Sequence, residues 1–482
     1  MRAILLLGAL LWSVGSAESV GAEEAASSQA PDLPAAANGV EPAPTAAPDD
    51  YVEPRSYGTK RETEPPSYVR SLDATGLPGT EKVDWLDLGF EQRTRYEMRY
   101  NDLRRTQQVT DNPLLLRTRA YFGIKNILDP FRFAVEIQDS RRYFSQFERD
   151  NRDVDTFEPI QAYAEIYFKE GLGQNRPLSI KAGRMAFELL DRRLIARNEW
   201  RNTTNTFQGV RVSLGMDQND WSADLLALQP LDRLKTHMDR PVDEQWFFGG
   251  VANYRGWSKW VTLQSYYLGL VQGHDDGAPD RDIHTVALRA YGPAGKTGFD
   301  YDLSGLYQFG ESDDQTQNSW AATVDLGYTF EHPWKPRIGV FYGYVSGDRN
   351  PNDNENNHFE RLFGFSRPWS SNDYIQMENV NSPKLVVAFE PIKDVKVDTA
   401  YVAYWLASKS DRWNSANLQD STGHSGDFLG HEFNARVRFP IVPRIKGNIG
   451  YAYFAPGQFP SRLGRTEDSH FVYFELSLYA FE

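Results

Sequence analysis

The sequence predicts an all-β protein, a transmembrane antiparallel β-barrel of about 18 strands behind an N-terminal leader. Three observations carry this expectation. Polar and apolar residues separate at period two along many segments, and short turns alternate with long polar stretches. After the N-terminal apolar stretch, no run approaches the ~20 residues that a transmembrane helix needs. A mean hydropathy of −0.58 fits the same fold, because only every second residue of a barrel strand meets lipid.

The chain begins Met1-Arg2, continues through an apolar stretch from Ala3 to Val14, and reaches small residues ending at Ala17 or Ala22. This is the pattern of a secretory signal peptide, assigned to 1–22. Residues 23–80 are rich in Ala, Pro, Glu and Ser, with Pro65-Pro66, and lack the apolar density to fold alone. They are expected to form a disordered periplasmic leader, which leaves 81–482 for the barrel.

In the first strand, Leu86, Leu88, Phe90, Thr94, Tyr96, Met98 and Tyr100 share one face. Asp87, Glu91, Arg93, Arg95, Glu97 and Arg99 share the other. A face this densely charged suits a wet lumen, and its partner suits lipid. The alternation recurs at 116–125, 131–138, 320–330 and 432–439. The last strand, 471–481, sets Val472, Phe474, Leu476 and Leu478 on one face, and Phe481 falls out of that register unless a bulge intervenes. Short turns are expected near 126–130, 170–176, 215–220, 255–258, 292–296, 331–335, 390–393 and 440–443. Long segments are expected at 102–113, 142–157, 186–204, 229–244, 272–280, 311–316, 348–382, 408–429 and 456–468. That alternation yields the even strand number and puts both chain termini on the periplasmic side.

The formal charge of −14 argues against nucleic acid as a partner. Eleven acids against four bases in 18–80 supply half of that charge, so it does not describe the pore. With no cysteine, thiolate metal sites, thiol catalysis and disulfides are all excluded.

Projecting each strand places Arg93, Arg95, Arg99, Arg117, Arg119, Arg132, Arg211, Arg289, Arg436 and Arg438 on lumenal faces, together with Lys181. Guanidinium is a permanently charged, bidentate partner for carboxylate. Acids share these faces, among them Glu91, Glu97, Glu136, Asp398, Glu432 and Glu475, so cross-strand pairing that fills a wet interior is an open alternative for each arginine. The cluster of Arg93, Arg95, Arg117 and Arg119 on adjacent strands points more strongly to an electropositive wall for an anionic sugar.

Several motifs follow one another in the C-terminal part of the chain. They are Val324-Asp325-Leu326-Gly327-Tyr328, Gly343-Tyr344-Val345-Ser346-Gly347-Asp348, Tyr404-Trp405-Leu406-Ala407 with Lys409, Asp411 and Trp413, Leu429-Gly430-His431-Glu432, and Gly450-Tyr451-Ala452-Tyr453-Phe454-Ala455-Pro456-Gly457. Earlier, Lys181-Ala182-Gly183-Arg184 forms a glycine-arginine strand end. In order and spacing the chain resembles the alginate export family of outer-membrane barrels. The resemblance implies a porin-like barrel that passes a polyuronate outward through an arginine-lined constriction, a role carried by segment order only to Arg117 and Arg119. It implies an anionic saccharide as substrate, outer-membrane lipid around the barrel and periplasmic export components as partners, with no cofactor. General or small-anion uptake is the alternative.

An outer-membrane lipid-modifying enzyme is a third possibility. His424-Ser425 is the nearest nucleophile-base pair, but it has no G-x-S-x-G frame, and no catalytic or metal-binding residue is assigned. The oxygen-rich run 348–355 reads as a solvated turn rather than a Ca²⁺ loop, since it lacks the EF-hand spacing. Phe359, Leu362, Phe363, Phe365 and Trp369 make the rest of that loop apolar enough to fold inward as a gate or to pack on the rim.

Overall fold

The computed structural model describes residues 58–107, 109–273 and 280–481. The expected signal peptide, and the leader as far as 57, lie outside the described residues. The barrel begins with β1 (Leu86–Tyr100), β2 (Leu114–Ile124), β3 (Phe131–Tyr143), β4 (Asp155–Phe168), β5 (Leu178–Met185) and β6 (Phe207–Leu214). It continues through β7 (Trp221–Asp232), β8 (Gln245–Tyr254), β9 (Thr262–Gln272), β10 (Arg281–Pro293), β11 (Phe299–Ser312) and β12 (Gln315–Thr329). The remaining strands are β13 (Arg337–Val345), β14 (Val380–Ile392), β15 (Val395–Trp405), β16 (Phe428–Val442), β17 (Ile445–Pro456) and β18 (Ser469–Tyr479). Each pairs antiparallel with the next, and β18 closes on β1 from Glu91↔Tyr479 to Tyr100↔His470. Closure leaves no edge strand, which is what allows a sheet to cross hydrocarbon.

The expected alternation of turns and loops is present. One connection differs: β11 and β12 are joined by Asp313 and Asp314 alone, with Asp313 at φ 52. Aspartate tolerates the left-handed turn, so the segment 311–316, expected as a longer loop, is a tight hairpin. β18 stops at Tyr479, and Phe481 follows in a turn, so no bulge is needed to fit it to the strand. Glycine is required where neighbouring strands crowd: Gly209 has φ +152, and a Cβ there would lie 2.2 Å from the Ala227 carbonyl oxygen.

Burial along the strands is inverted relative to a soluble protein. On β1, Asp87, Glu91, Arg93, Arg95, Glu97 and Arg99 are buried, while Tyr96, Met98 and Tyr100 are exposed. Phe122, Phe133, Val135, Leu288, Val340, Leu385, Phe474 and Leu476 extend the exposed apolar surface around the wall. Near the long-loop ends of their strands, the exposed rings Tyr267, Tyr401 and Tyr451 bond His284, His431 and His470 at 2.8–2.9 Å. These pairs have the amphipathic character of an interfacial girdle.

Three segments enter the barrel from its ends. The first, residues 58–71, belongs to the stretch expected to be a disordered leader. Val69–Ser71 instead forms a short strand on β1, where Val69 faces Gly89, beyond the last β18 pairing at Glu91. The preceding residues run inside, with Thr59 and Tyr68 buried. Composition failed here because the segment borrows its apolar cover and counter-charges from the barrel wall. The second segment, between β5 and β6, is buried over most of its length from Ala186 to Thr206. The third, between β13 and β14, buries Phe359, Phe365, Trp369, Tyr374 and Met377. The second and third meet at the Ile195–Phe363 bridge, with Phe363 N donating to Leu194 O at 3.0 Å. Phe363 then stands edge-on to Phe207 of β6 and Phe247 of β8, each at 5.1 Å between centroids. A polar lumen could not hold these loops by dispersion alone. The inward apolar residues of β6 to β9, including Leu226, Leu228, Leu268 and Leu270, supply the matching surface.

Candidate functional site: an arginine-rich lumen crossed by three inserted segments

Arg117 and Arg119, the residues expected at the constriction, are both buried on β2. Arg117 donates to Glu91 at 2.9 Å and to Glu199 of the β5–β6 segment. Arg119 donates to both Glu199 oxygens at 2.9 Å, to Gln138 at 2.8 Å and to Thr204 at 2.7 Å. Burial opposes the Glu199 charge. Arg117, Arg119, Arg197 and Arg93 outweigh it and hold the carboxyl well below the usual range.

The other eight expected arginines are also engaged. Arg93 donates to the Glu199 and Arg201 carbonyls at 2.8 Å, and Arg95 pairs with Glu97 at 2.8 Å and Glu475 at 3.3 Å. Arg99 reaches Glu97 at 2.9 Å and lies 3.6 Å over the Phe471 ring. Arg132, half-buried, lies 3.5 Å over Tyr167. Arg211 bridges Asp224 at 2.8 Å and Glu64 at 2.7 Å, and Arg289 holds Asp302 at 2.6 Å. Arg436 and Arg438 share Asp398 at 2.8 and 3.0 Å, with Arg438 the more exposed. The strand arginines therefore stand on inward faces, seven of them buried, and most sit against carboxylates.

Strand periodicity missed the arginines on the inserted segments and on the long loops, because loops have no period to project. Arg201 and Arg361 donate no side-chain hydrogen bond to any described residue and form no ion pair there; Arg233 bonds Asn205 at 2.6 Å, and Arg152 pairs with Asp150 at 3.2 Å. Burial, and then the charges of Arg233, Arg361 and Arg152, disfavour the Arg201 proton, with Asp373 opposing them. A guanidinium stays charged regardless, so these side chains concentrate positive potential where loops from several strands converge. The one available signal was composition: Asp191-Arg192-Arg193-Leu194-Ile195-Ala196-Arg197-Asn198-Glu199-Trp200-Arg201 is unusually rich in arginine for a connection. Beside Arg201, the Trp200 indole lies under the guanidinium groups of Arg95 at 3.9 Å and Arg367 at 3.4 Å.

The leader segment reaches the same chamber from the short-turn rim. Glu64 accepts from Lys181 at 2.9 Å and Arg211 at 2.7 Å, Tyr68 bonds Glu136, and Glu62 N donates to Glu188 at 2.7 Å. Arg192 donates to the Lys60 carbonyl at 2.8 Å. Burial works against the Glu64 charge, and the two cations hold its pKa far below the carboxylate range.

The His424 ring nitrogen lies 2.9 Å from Thr422 Oγ1, and Ser425 N donates to Asp420 at 2.7 Å, an arrangement that closes a polar turn and leaves histidine and serine unconnected. The run 348–355 contributes to no group of three carboxylates within ligand distance among the described residues.

A closed antiparallel barrel with an apolar exterior and a charged interior defines a porin-like channel of the outer membrane. The chain belongs to the alginate export family, whose model matches residues 84–473. Its fold is similar to solved Pseudomonas aeruginosa channels. OpdQ is 14% identical, with a TM-score of 0.54 over 81% of this chain and 97% of that one. OccK2 (OpdF), solved in complex with glucuronate, is 11% identical, with a TM-score of 0.54 over 82% of this chain and 98% of that one. OccK5 (OpdH) is 11% identical, with a TM-score of 0.53 over 81% of this chain and 97% of that one. No match is found among curated proteins.

Proposed function

We propose that this channel passes an anionic oligosaccharide or polysaccharide, of the alginate-like polyuronate class, along a path where Arg201 and Arg361 meet its carboxylates. The observation that carries the reading is that these two guanidinium groups lack a hydrogen-bonded carboxylate among the described residues, with Arg233 and Arg152 close enough to add to their field. A polyuronate offers one carboxylate per sugar, so a row of loop arginines can hand it from charge to charge while no single contact traps it. Arg117 and Arg119 act behind this row, holding Glu199 and with it the segment that carries Arg201. In this reading both chain termini lie on the periplasmic side, where export components would deliver the polysaccharide.

Uptake of small anions is the second reading. Three inserted segments narrow the lumen, and a channel with a similar fold was solved with the monomer glucuronate. The reversal potential of the refolded channel under a salt gradient tests both, with wild type compared to Arg201→Ala/Arg361→Ala. Anion selectivity that falls in the variant, with current blocked by polyuronate at concentrations where glucuronate has no effect, supports the polymer. Equal block by the monomer favours small-anion uptake. Cation selectivity, or selectivity unchanged by the substitutions, overturns the arginine path.

A further inference from the structure

Asp155 opens β4, Glu158 lies three residues further along that strand, past the left-handed residue Phe157 (φ 57) that interrupts the pleat, and Asp239 comes from the long loop between β7 and β8. All three are buried, Asp155 and Glu158 completely. Each offers a carboxylate oxygen, and these oxygens lie within 4.8 Å of one another. Some of the oxygens are already engaged: Glu158 accepts from Arg184 and from Asp239 N at 2.9 Å, and Asp239 Oδ1 accepts from Leu234 N at 2.8 Å. Both Asp155 oxygens and Asp239 Oδ2 have no hydrogen-bond partner among the described residues. A buried carboxylate without a partner is strongly disfavoured as an anion, so such a group takes up a proton or a cation.

We propose that Asp155, Asp239 and Glu158 bind a divalent cation of the calcium type and so fasten the β7–β8 loop to the start of β4. The donor set is oxygen alone, with an aspartate free to bind through both oxygens and two further carboxylates beside it; hard cations select such a set. Arg184 and Arg233 offset part of the negative charge, which favours a moderate affinity over a permanent one. The site is independent of the saccharide reading and also adjoins the arginine cluster. Arg233 feels the charges of both Asp155 and Asp239 and of Arg152 and Arg361. A bound dication cancels the two aspartates and leaves the loop arginines more electropositive.

The test is equilibrium dialysis of ⁴⁵Ca²⁺ against the full chain refolded in neutral detergent, for wild type, Asp155→Asn, Asp155→Asn/Asp239→Asn and the loop control Asp353→Asn/Glu355→Gln. Wild type and the control are expected to bind about one ion with an affinity on the order of 0.1–1 mM, and Asp155→Asn is expected to weaken it by about tenfold or more. Heating in EGTA should also unfold wild type at a lower temperature than heating in calcium, with that difference absent in the aspartate variants. Wild type that binds no calcium would overturn the site, as would binding equal in wild type and Asp155→Asn. If the double variant fails to fold, the wild-type isotherm and the single substitution decide the matter.

Discussion

Glu199 places both carboxylate oxygens 2.9 Å from the Arg119 guanidinium, although the two residues come from an inserted loop and the barrel wall. The same carboxylate bonds Arg117. One acid thus neutralises much of the constriction expected from the sequence and anchors the loop that bears Arg201. Glu199→Gln should release this charge while keeping side-chain size, making the channel more anion-selective in reversal-potential measurements. Glu91→Gln, which leaves the loop anchor intact, should shift selectivity less. A larger shift for Glu91→Gln would place the conducting path along β1 and β2 instead.

Glu64 occupies a cradle of Lys181 and Arg211 that a free uronate carboxylate could otherwise fill. The segment behind it, 58–68, lies inside the short-turn end of the barrel. Removing 58–68 should raise single-channel conductance in a planar bilayer, and Glu64→Gln should give a smaller rise with more frequent switching between levels. Unchanged conductance in both would mean that ions pass beside the segment.

The barrel was legible because each strand must solve lipid on one face and water on the other. The faces of β1, from Leu88 to Tyr100 and from Asp87 to Arg99, state that requirement outright, and the turns between strands carry their own residues. The lumen was less legible. Arg117 could be placed inward by parity, but its partner Glu199 sits on an aperiodic loop, and no local pattern announces a long-range ion pair. Tyr68 and Val69 were hidden for a related reason, since a Pro- and Glu-rich segment reads as a solvated leader until the wall that covers it is known. Burial of Phe359, Phe365 and Trp369 places their loop inside the barrel.

Trp369 is the largest fully buried side chain of that loop. It stands edge-on to Phe341 at 5.4 Å, and its carbonyl accepts from Tyr404 at 2.8 Å. Trp369→Ala should cost about 3–5 kcal/mol of local packing. Because the barrel ladder does not depend on that ring, the expected result is a folded channel with higher conductance and more open-channel noise, whereas Trp320→Ala on the exposed face should leave both unchanged. Conductance unaffected by Trp369→Ala would remove this loop from the permeation path.

His358, at the start of the same loop, lies 2.6 Å from Asp411 and 3.7 Å from Glu378. Burial disfavours the charged ring, but the hydrogen bonds and charges of Asp411 and Glu378 outweigh it and carry the pKa from 6.5 up to about 10. The folded state therefore binds the proton more tightly than the unfolded state. The resulting stabilisation is fully present below about pH 6.5, the unfolded value, shrinks as the pH rises from there, and is gone above about 10. Thermal unfolding followed by loss of the fast-migrating folded band should show wild type losing stability between these limits relative to His358→Gln, which lacks the titrating group. The two proteins should approach each other at the alkaline end. Parallel profiles across the whole range would mean that the ring is neutral in the folded channel and that Asp411 and Glu378 hold the loop without it.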